Sequence, residues 1–566
     1  MKSNWVLAVP NNKLSGTISK GLNISPITAQ VLINRGIKSE IEAEAFLSPK
    51  LFDLPSPNLL KDMDKAVERL DSALSENHKV AIYGDYDVDG VTSTSLFYNF
   101  LNSLGMEVVT YNPDRIHEGY GINTGAIDKL NKNNTDLIIS CDCGITAYDE
   151  VEYAKTLGID FIITDHHLPP EKLPDAVAVL NPNQKGCNYP DKNIAGVGVI
   201  FNFAVAFRRH LRDIGYFKEN EPNLGDFLDL VALGTVADCA SVTNTNRIFI
   251  KEGIKRMQKP KRVGIRALKE VSGINSTLSS FDIGFKLGPR INAAGRLDDP
   301  GVAVELLIAE DIQKAKNIAE NLNNENIKRQ NIEKNIYSEA IATLENSPEY
   351  KNMSAIVLGS VNWHPGVIGI VASRICDIYN KPVFLIAIDE EGTGKGSGRS
   401  IEGVDLHKIL GSLEDFLESF GGHKMAAGIT IKEENIEQFS EKFSDKVSEL
   451  KLKNNGKKIE IDKKVDFDEI DLDLADEIAR LSPYGIGNNE PVFLIQSANI
   501  KSQKVFKNKH LGITFIKDSN TYSGIWFNLK EIVKLPECVD IVFSLQINEW
   551  QGKKELRFNI KDVYWQ

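Results

Sequence analysis

The chain has 566 residues, 42% of them hydrophobic and 25% charged, with a formal net charge of −12. That length is too great for one core and implies about three or four domains. The composition excludes a largely disordered chain, and the acidic balance excludes a generic nucleic-acid coat while leaving room for a local basic channel.

Residues 1–60 are expected as an N-terminal extension packing on a catalytic domain, and they contain neither a signal peptide nor a membrane-length apolar run, so a cytoplasmic protein is expected. The first strong signal is the apolar run Val80-Ala81-Ile82 followed by Asp85, Asp87 and Asp89 at alternate positions, and then Leu96, Phe97 and Phe100 at helical spacing. Three carboxylates so close repel one another unless cations sit among them. Asp-rich strand-to-helix turns also serve as caps and calcium loops, but position 12 of an EF-hand loop counted from Asp85 is Leu96, not Glu. Further strands are predicted at 107–111, 137–140 and 161–163. They end in a loop carrying Arg115, in Cys141-Asp142-Cys143-Gly144 and in Asp165-His166-His167. Right-handed crossovers leave the carboxyl ends of such a βαβα run on one edge, so these acids and imidazoles converge. A further acid, Asp238, closes an apolar helical segment in which Gly234 and Ala237 permit close approach.

Carboxylates with neutral imidazole suit manganese better than magnesium. Two such ions about 3.5–4 Å apart clamp the attacking and leaving oxygens of an in-line displacement at phosphorus. No Walker A sequence and no nucleophilic Ser elbow is present. Six cysteines without Cys-x-x-Cys pairing exclude a zinc ribbon, and Cys141 and Cys143 alternate in direction with Asp142.

The catalytic region is assigned to 61–310. Ile312 to Leu344 then reads as one connecting helix, assigned to 311–348 and about 50 Å long, with the asparagines around 321–326 as its weak point. A smaller α/β domain follows (349–455), with Gly396-Ser397-Gly398-Arg399 and Gly421-Gly422-His423 as its glycine-rich turns. From 456 to 566 five short alternating strands suit an OB-like barrel, whose aromatics stack bases while lysines follow the backbone. Phe506 and Lys507 are candidate nucleic-acid contacts there, whereas Trp526 reads as core. The basic stretches Lys251–Arg266 and Lys501–Lys509 read equally well as solvated faces.

The four loop ends resemble the motifs of the DHH phosphoesterase superfamily, and within it the RecJ single-strand-specific exonucleases. Asp85-Tyr86-Asp87-Val88-Asp89-Gly90, Ser140–Gly144, Thr164–His167 and Gly234–Asp238 are similar to its motifs one to four, and Leu287-Gly288-Pro289-Arg290-Ile291-Asn292-Ala293-Ala294-Gly295-Arg296 to a RecJ segment. The resemblance implies an α/β fold: a parallel-sheet DHH domain joined by the long helix to a DHHA1 domain, plus the OB-like barrel. It further implies Asp87, Asp89, Asp142, His166 and Asp238 as ligands of two manganese or magnesium ions, with Asp142 between them, and His167 on the phosphate. Asp85, an added acid in the RecJ version, joins Asp142 and His167 as a catalytic candidate, in the role of electrostatic partner. Guanidinium forks suit phosphate, so Arg115 and Arg290 are candidates for it, with Arg296 as a nucleic-acid contact. Ser397, Arg399 and His423 would hold substrate from the DHHA1 side. The activity implied is 5′-to-3′ hydrolysis of single-stranded DNA in recombination and repair, by a monomer that contacts single-strand-binding protein. Its rivals are a dinucleotide-specific DHH enzyme or pyrophosphatase, and a non-catalytic single-strand binder.

Overall fold

The computed structural model describes residues 4–114, 118–119, 121–275, 277–297, 299–452, 458–529, 531–550 and 553–565. Five strands, β1 (Val80–Gly84), β2 (Val108–Tyr111), β3 (Leu137–Cys141), β4 (Asp160–Thr164) and β5 (Ala178–Leu180), form an all-parallel sheet in the order β2-β1-β3-β4-β5. Their near-continuous apolar runs are what a sheet covered on both faces requires. Alternate residues divide between the covers. Ile82, Ile139 and Ile162 pack with Phe97, Phe100 and Phe203 on one face, and Tyr83, Ile138 and Ile163 pack with Ile127, Leu130 and Val151 on the other. Chain order reverses between β1 and β3, and ligands of such sheets bind outside the carboxyl ends at that reversal. The fifth strand, β5, adds to the four expected from the sequence.

Among the helices of this region, those that frame the site are α1 (Val88–Ser103), α2 (Gly196–Asp213), α3 (Leu228–Ala237) and α4 (Gly288–Leu297). The connector α5 (Ile312–Asn346) runs unbroken through Asn321–Asn326; Asn326 is buried there and accepts from Arg329 at 2.8 Å, which offsets its poor helix propensity. The next sheet, order β9-β10-β8-β7-β6, comprises β6 (Ile356–Ser360), β7 (Val383–Ile388), β8 (Thr393–Arg399), β9 (Ser419–Gly422) and β10 (Ala426–Lys432), with α6 (Ile368–Tyr379) on it. The last strands, β11 (Phe493–Phe506), β12 (His510–Lys517), β13 (Asn520–Trp526), β14 (Cys538–Trp550) and β15 (Lys553–Tyr564), close into a barrel through the β11–β14 pairing. Trp526 is half-buried against the barrel core.

The N-terminal segment departs from expectation. Ile18, Ile27, Val31, Leu32 and Leu47 share one core with Phe467, Leu474, Phe493 and Phe543 of the barrel region, and Asn4–Leu7 pairs in parallel with Lys458–Ile461. The catalytic domain touches this unit at specific points. Arg247, 1% exposed, donates to the carbonyls of Phe46 (2.8 Å) and Ser482 (3.1 Å), and its guanidinium lies 3.9 Å from the Phe46 ring centre. Amphipathic helices advertise an apolar face without naming its partner, so this docking was not legible from the pattern. The basic stretch after Lys251 is a paired surface: Lys255 and Arg256 meet Glu252, Lys261 meets Asp226 and Arg262 meets Asp229.

Candidate metal centre

Each acid of the candidate centre is fixed by a different local device. Asp87 caps α1, its Oδ1 accepting from the amides of Asp89 (2.9 Å) and Gly90 (3.1 Å). Asp89 is fully buried, and both its oxygens accept amides at the start of α2, Gly196 N–H at 2.7 Å and Val197 N–H at 2.8 Å. Asp142 follows β3 in the left-handed region, φ +62°, a conformation non-glycine residues hold where surroundings impose it. Asp238 is the C-terminal cap of α3, and Gly234 one turn earlier lets that helix close on Thr92 and Asp89: a Cβ there would lie 2.3 Å from Thr92 Oγ1.

Asp165 is the organiser of the imidazoles. Its Oδ1 accepts from the backbone amides of His166 (2.7 Å) and His167 (3.0 Å) and pairs with His167 Nδ1 at 2.7 Å, while Oδ2 accepts from Ile145 N–H at 3.0 Å. Asn181 and Asn183, just after β5, donate to the carbonyls of His167 and His166. These supports, like the α2 amides, were missed from the sequence.

His166 Nε2 lies 3.1 Å from Asp142 Oδ1 and 3.9 Å from both Asp89 Oδ2 and Asp238 Oδ2. Burial, with His167 beside it, lowers His166 to about 4, so the ring is neutral, with Nε2 toward the carboxylate oxygens. Among the described residues neither His166 Nε2 nor Asp142 Oδ1 has a hydrogen-bond partner, although both atoms are buried. Burial and mutual repulsion push Asp89 and Asp142 well above the usual carboxylate range, and burial and Asp87 raise Asp238 to about 7. His167 rises to about 9: burial opposes its charge, but the hydrogen bond to Asp165 and the nearby acids outweigh it. Buried carboxylates that disfavour one another's charge, around an orphaned imidazole nitrogen, fit divalent cations. Three sets of donor atoms lie within 4.8 Å of one another: Asp142, His166 and His167; Asp89, His166 and Asp238; Asp85, Asp87 and Asp142.

Asp85, Asp87, Asp142, His167 and Asp238 open into a cleft of about 370 Å³, also lined by Asn292, Gly295 and Arg296 of α4. Helix α4 docks directly on the aspartate loop: Asn292 Oδ1 accepts from Val88 N–H at 3.2 Å, and a Cβ on Gly295 would lie 2.6 Å from the Tyr86 carbonyl. A second cavity of about 380 Å³ lies behind His167 and is reached by His423 from the β9–β10 hairpin. Arg296 Nη1 donates to the Gly366 carbonyl (2.7 Å), just ahead of α6. Ser397 and Arg399 meet that same helix start, where a Cβ on Gly369 would lie 2.8 Å from Ser397 Oγ. Arg290 is turned elsewhere, donating to Asn323 Oδ1 (3.1 Å) and the Lys286 carbonyl (2.6 Å). Arg115 lies outside the described residues. Phe506 and Lys507 are far along the barrel at the β11–β12 turn, where Phe506 is 42% exposed and lies over Gly512.

A parallel sheet with acids and an Asp-His-His run converging on its carboxyl edge is the site of a DHH phosphoesterase. The description "DHH family, N-terminal domain" matches residues 79–235, "DHHA1 domain" residues 352–449 and "RecJ OB domain" residues 461–562. The chain is 36% identical to the single-stranded-DNA-specific exonuclease RecJ of Bacillus subtilis over 99% of its own length and 71% of that protein's. It is 35% identical to the Escherichia coli RecJ over 96% of each chain. The crystal structure of Thermus thermophilus RecJ in complex with Mn2+ superposes with a TM-score of 0.87 at 28% identity, covering 100% of this chain and 80% of that one; the Mg2+ complex gives 0.81 at 27%. The chain belongs to the RecJ family of single-stranded-DNA-specific exonucleases. Among the described residues no helix is long and apolar enough to cross a membrane.

Proposed function

We propose that this protein is a metal-dependent exonuclease that hydrolyses phosphodiester bonds of single-stranded DNA from the 5′ end, in recombination and repair. The observation that carries the reading is the overlap of the three donor sets. Asp142 belongs to two and His166 to two, which supports two adjacent cation sites with Asp142 between them. Asp87, Asp89, Asp142, His166 and Asp238 would hold manganese or magnesium, which when bound supplies an acidified water and charge stabilisation at phosphorus. Asp85 adds a third carboxylate at the Asp87 end of the cleft. His167, fixed through Nδ1 by Asp165 and bordering both cavities, is assigned the scissile phosphate. Arg296 at the metal cleft, Ser397 and Arg399 at the start of α6 and His423 at the second cavity are assigned the flanking phosphates, where guanidinium donors suit phosphate oxygens. Phe506 and Lys507 would contact strand farther from the cut, Arg115 remains assigned to phosphate on sequence grounds, and Arg290 is assigned to bracing α4 on α5.

Digestion of 5′- and 3′-labelled single strands with manganese, magnesium or neither tests the reading, with dinucleotides as the competing substrate. Mononucleotide release from long strands only when metal is present is the expected result; preference for dinucleotides, or metal-independent release, would overturn it. We further propose a cytoplasmic monomer that contacts single-strand-binding protein, for which gel filtration and a binding titration are the checks.

A further inference from the structure

The segment that ends at Arg296 begins with two aromatic rings that no step of the reaction uses. A short helix at Ser280–Asp282, a π-helical stretch at Ile283–Leu287 and α4 follow one another as a continuous rod. Phe281 is 61% and Phe285 70% exposed, and their rings stack on each other, centres 4.6 Å apart and planes 24° from parallel. Burying a phenyl side chain contributes about 1.5–3 kcal/mol, so two adjacent rings held in water are a costly arrangement, and exposed apolar patches of this kind mark interaction sites. π-Helical stretches are rare and concentrate at functional sites.

The rod has two sides. Ile283, Leu287, Ile291 and Ala294 are buried in the catalytic core. Phe281, Phe285, Pro289, Asn292 and Arg296 keep exposure and recur every three or four residues, the repeat of one helix side. Asn292 and Arg296 line the metal cleft. Phe285 precedes Asn292 by seven residues, about 10 Å along the axis. At its other end the rod touches the segment that leads into the barrel, Ser280 Oγ donating to the Tyr484 carbonyl at 2.9 Å. The two rings thus lie between the barrel's lead-in and the cleft, and Lys286 beside them is ion-paired with Asp282 at 2.7 Å. Every nucleobase has a π-face, and stacking on an aromatic side chain contributes about 1–3 kcal/mol per base with little sequence preference.

Resting on the single-strand reading above, we propose that Phe281 and Phe285 form a platform on which bases of the single strand stack as it enters the metal cleft. The test uses the full-length manganese enzyme and oligodeoxynucleotides in which abasic residues are walked inward from the digested end, with KM and kcat measured for each. For the unmodified enzyme, abasic residues at the platform raise KM about tenfold, the equivalent of about 1.4 kcal/mol. The Phe281→Ala/Phe285→Ala protein is expected to show that raised KM on intact strands, a kcat unchanged, and no further response to abasic residues. Phe281→Leu/Phe285→Leu, apolar but without π-faces, should behave as the alanine protein does, and Phe281→Trp/Phe285→Trp should restore KM. Coincident abasic profiles for unmodified and alanine proteins overturn the platform, and would also be the outcome if the rings docked a protein instead. A tryptophan protein with the alanine protein's KM overturns it as well, whatever happens to kcat in the alanine protein. Failure of the unmodified enzyme to digest any single strand would instead overturn the functional reading.

Discussion

Gly196→Ala places one methyl group where the structure has no room for it. The added Cβ would lie 2.8 Å from both Cβ and Oδ1 of Asp142, short of ordinary carbon contact by about 0.6 Å. Neither neighbour yields easily. Asp142 is 2% exposed and held at φ +62°, and the start of α2 is tied to Asp89 through the Gly196 and Val197 amides at 2.7 and 2.8 Å. Relief of the clash therefore displaces one of the two carboxylates by about half an ångström. Overpacking of this size costs about 1–3 kcal/mol, offset by up to about 1 kcal/mol from replacing glycine in a helix, so the protein should remain folded. The displacement itself should cost about 10–100-fold in metal affinity, as loss of a ligand's support does, and about 100-fold in kcat. Manganese titration calorimetry and single-strand digestion, with thermal melting as the folding control, read these effects. A folded G196A protein with metal affinity and kcat within about twofold of the unmodified protein would refute the account of how α2 frames the centre.

Asp165→Ala, which removes the acceptor of three backbone amides and His167 Nδ1, should lower manganese affinity about 10–100-fold, and an unchanged titration would remove Asp165 from its orienting role. Because the clustered acids oppose one another, saturating metal should stabilise the fold by about 2.7 kcal/mol at a hundred times Kd; identical melting with chelator and with manganese would contradict a cation site there. Arg247→Met leaves the carbonyls of Phe46, Arg480, Ser482 and Pro483 without their donor, and should cost about 2–4 kcal/mol in urea unfolding. Hydrogen exchange should then rise in residues 18–47 while the catalytic sheet stays protected; uniform exchange across both would argue against Arg247 as an interdomain clamp.

The strand ends were legible because a buried parallel strand is an apolar run and its carboxyl end is the next polar residue, so Asp85, Asp142 and Asp165 announced themselves. Spacing also placed the barrel strands. What stayed hidden depended on partners distant in sequence or on direction. The amides of Gly196 and Val197 carry no side-chain signal, yet they hold Asp89 from more than a hundred residues away. The left-handed backbone of Asp142 is imposed by its surroundings, and no composition predicts it. Arg290 and Arg296 looked alike in one motif, but on a helix six residues turn a side chain well away from its predecessor, so one braces α5 while the other faces the cleft. Arg247 stood just before a basic stretch and gave no sign of complete burial.

The shared core of the first fifty residues and the barrel region sets a timing problem for synthesis. Ile18, Val31 and Leu47 wait for Phe467, Phe493 and Phe543, which leave the ribosome after about four hundred further residues. At about 5–20 residues per second that is about 20–80 s, long enough for the catalytic domain to fold in between. During that interval the leading helices present an unsatisfied apolar face, and the nascent chain must either shelter them on the ribosome's own chaperones or hold them loosely until its last strands arrive.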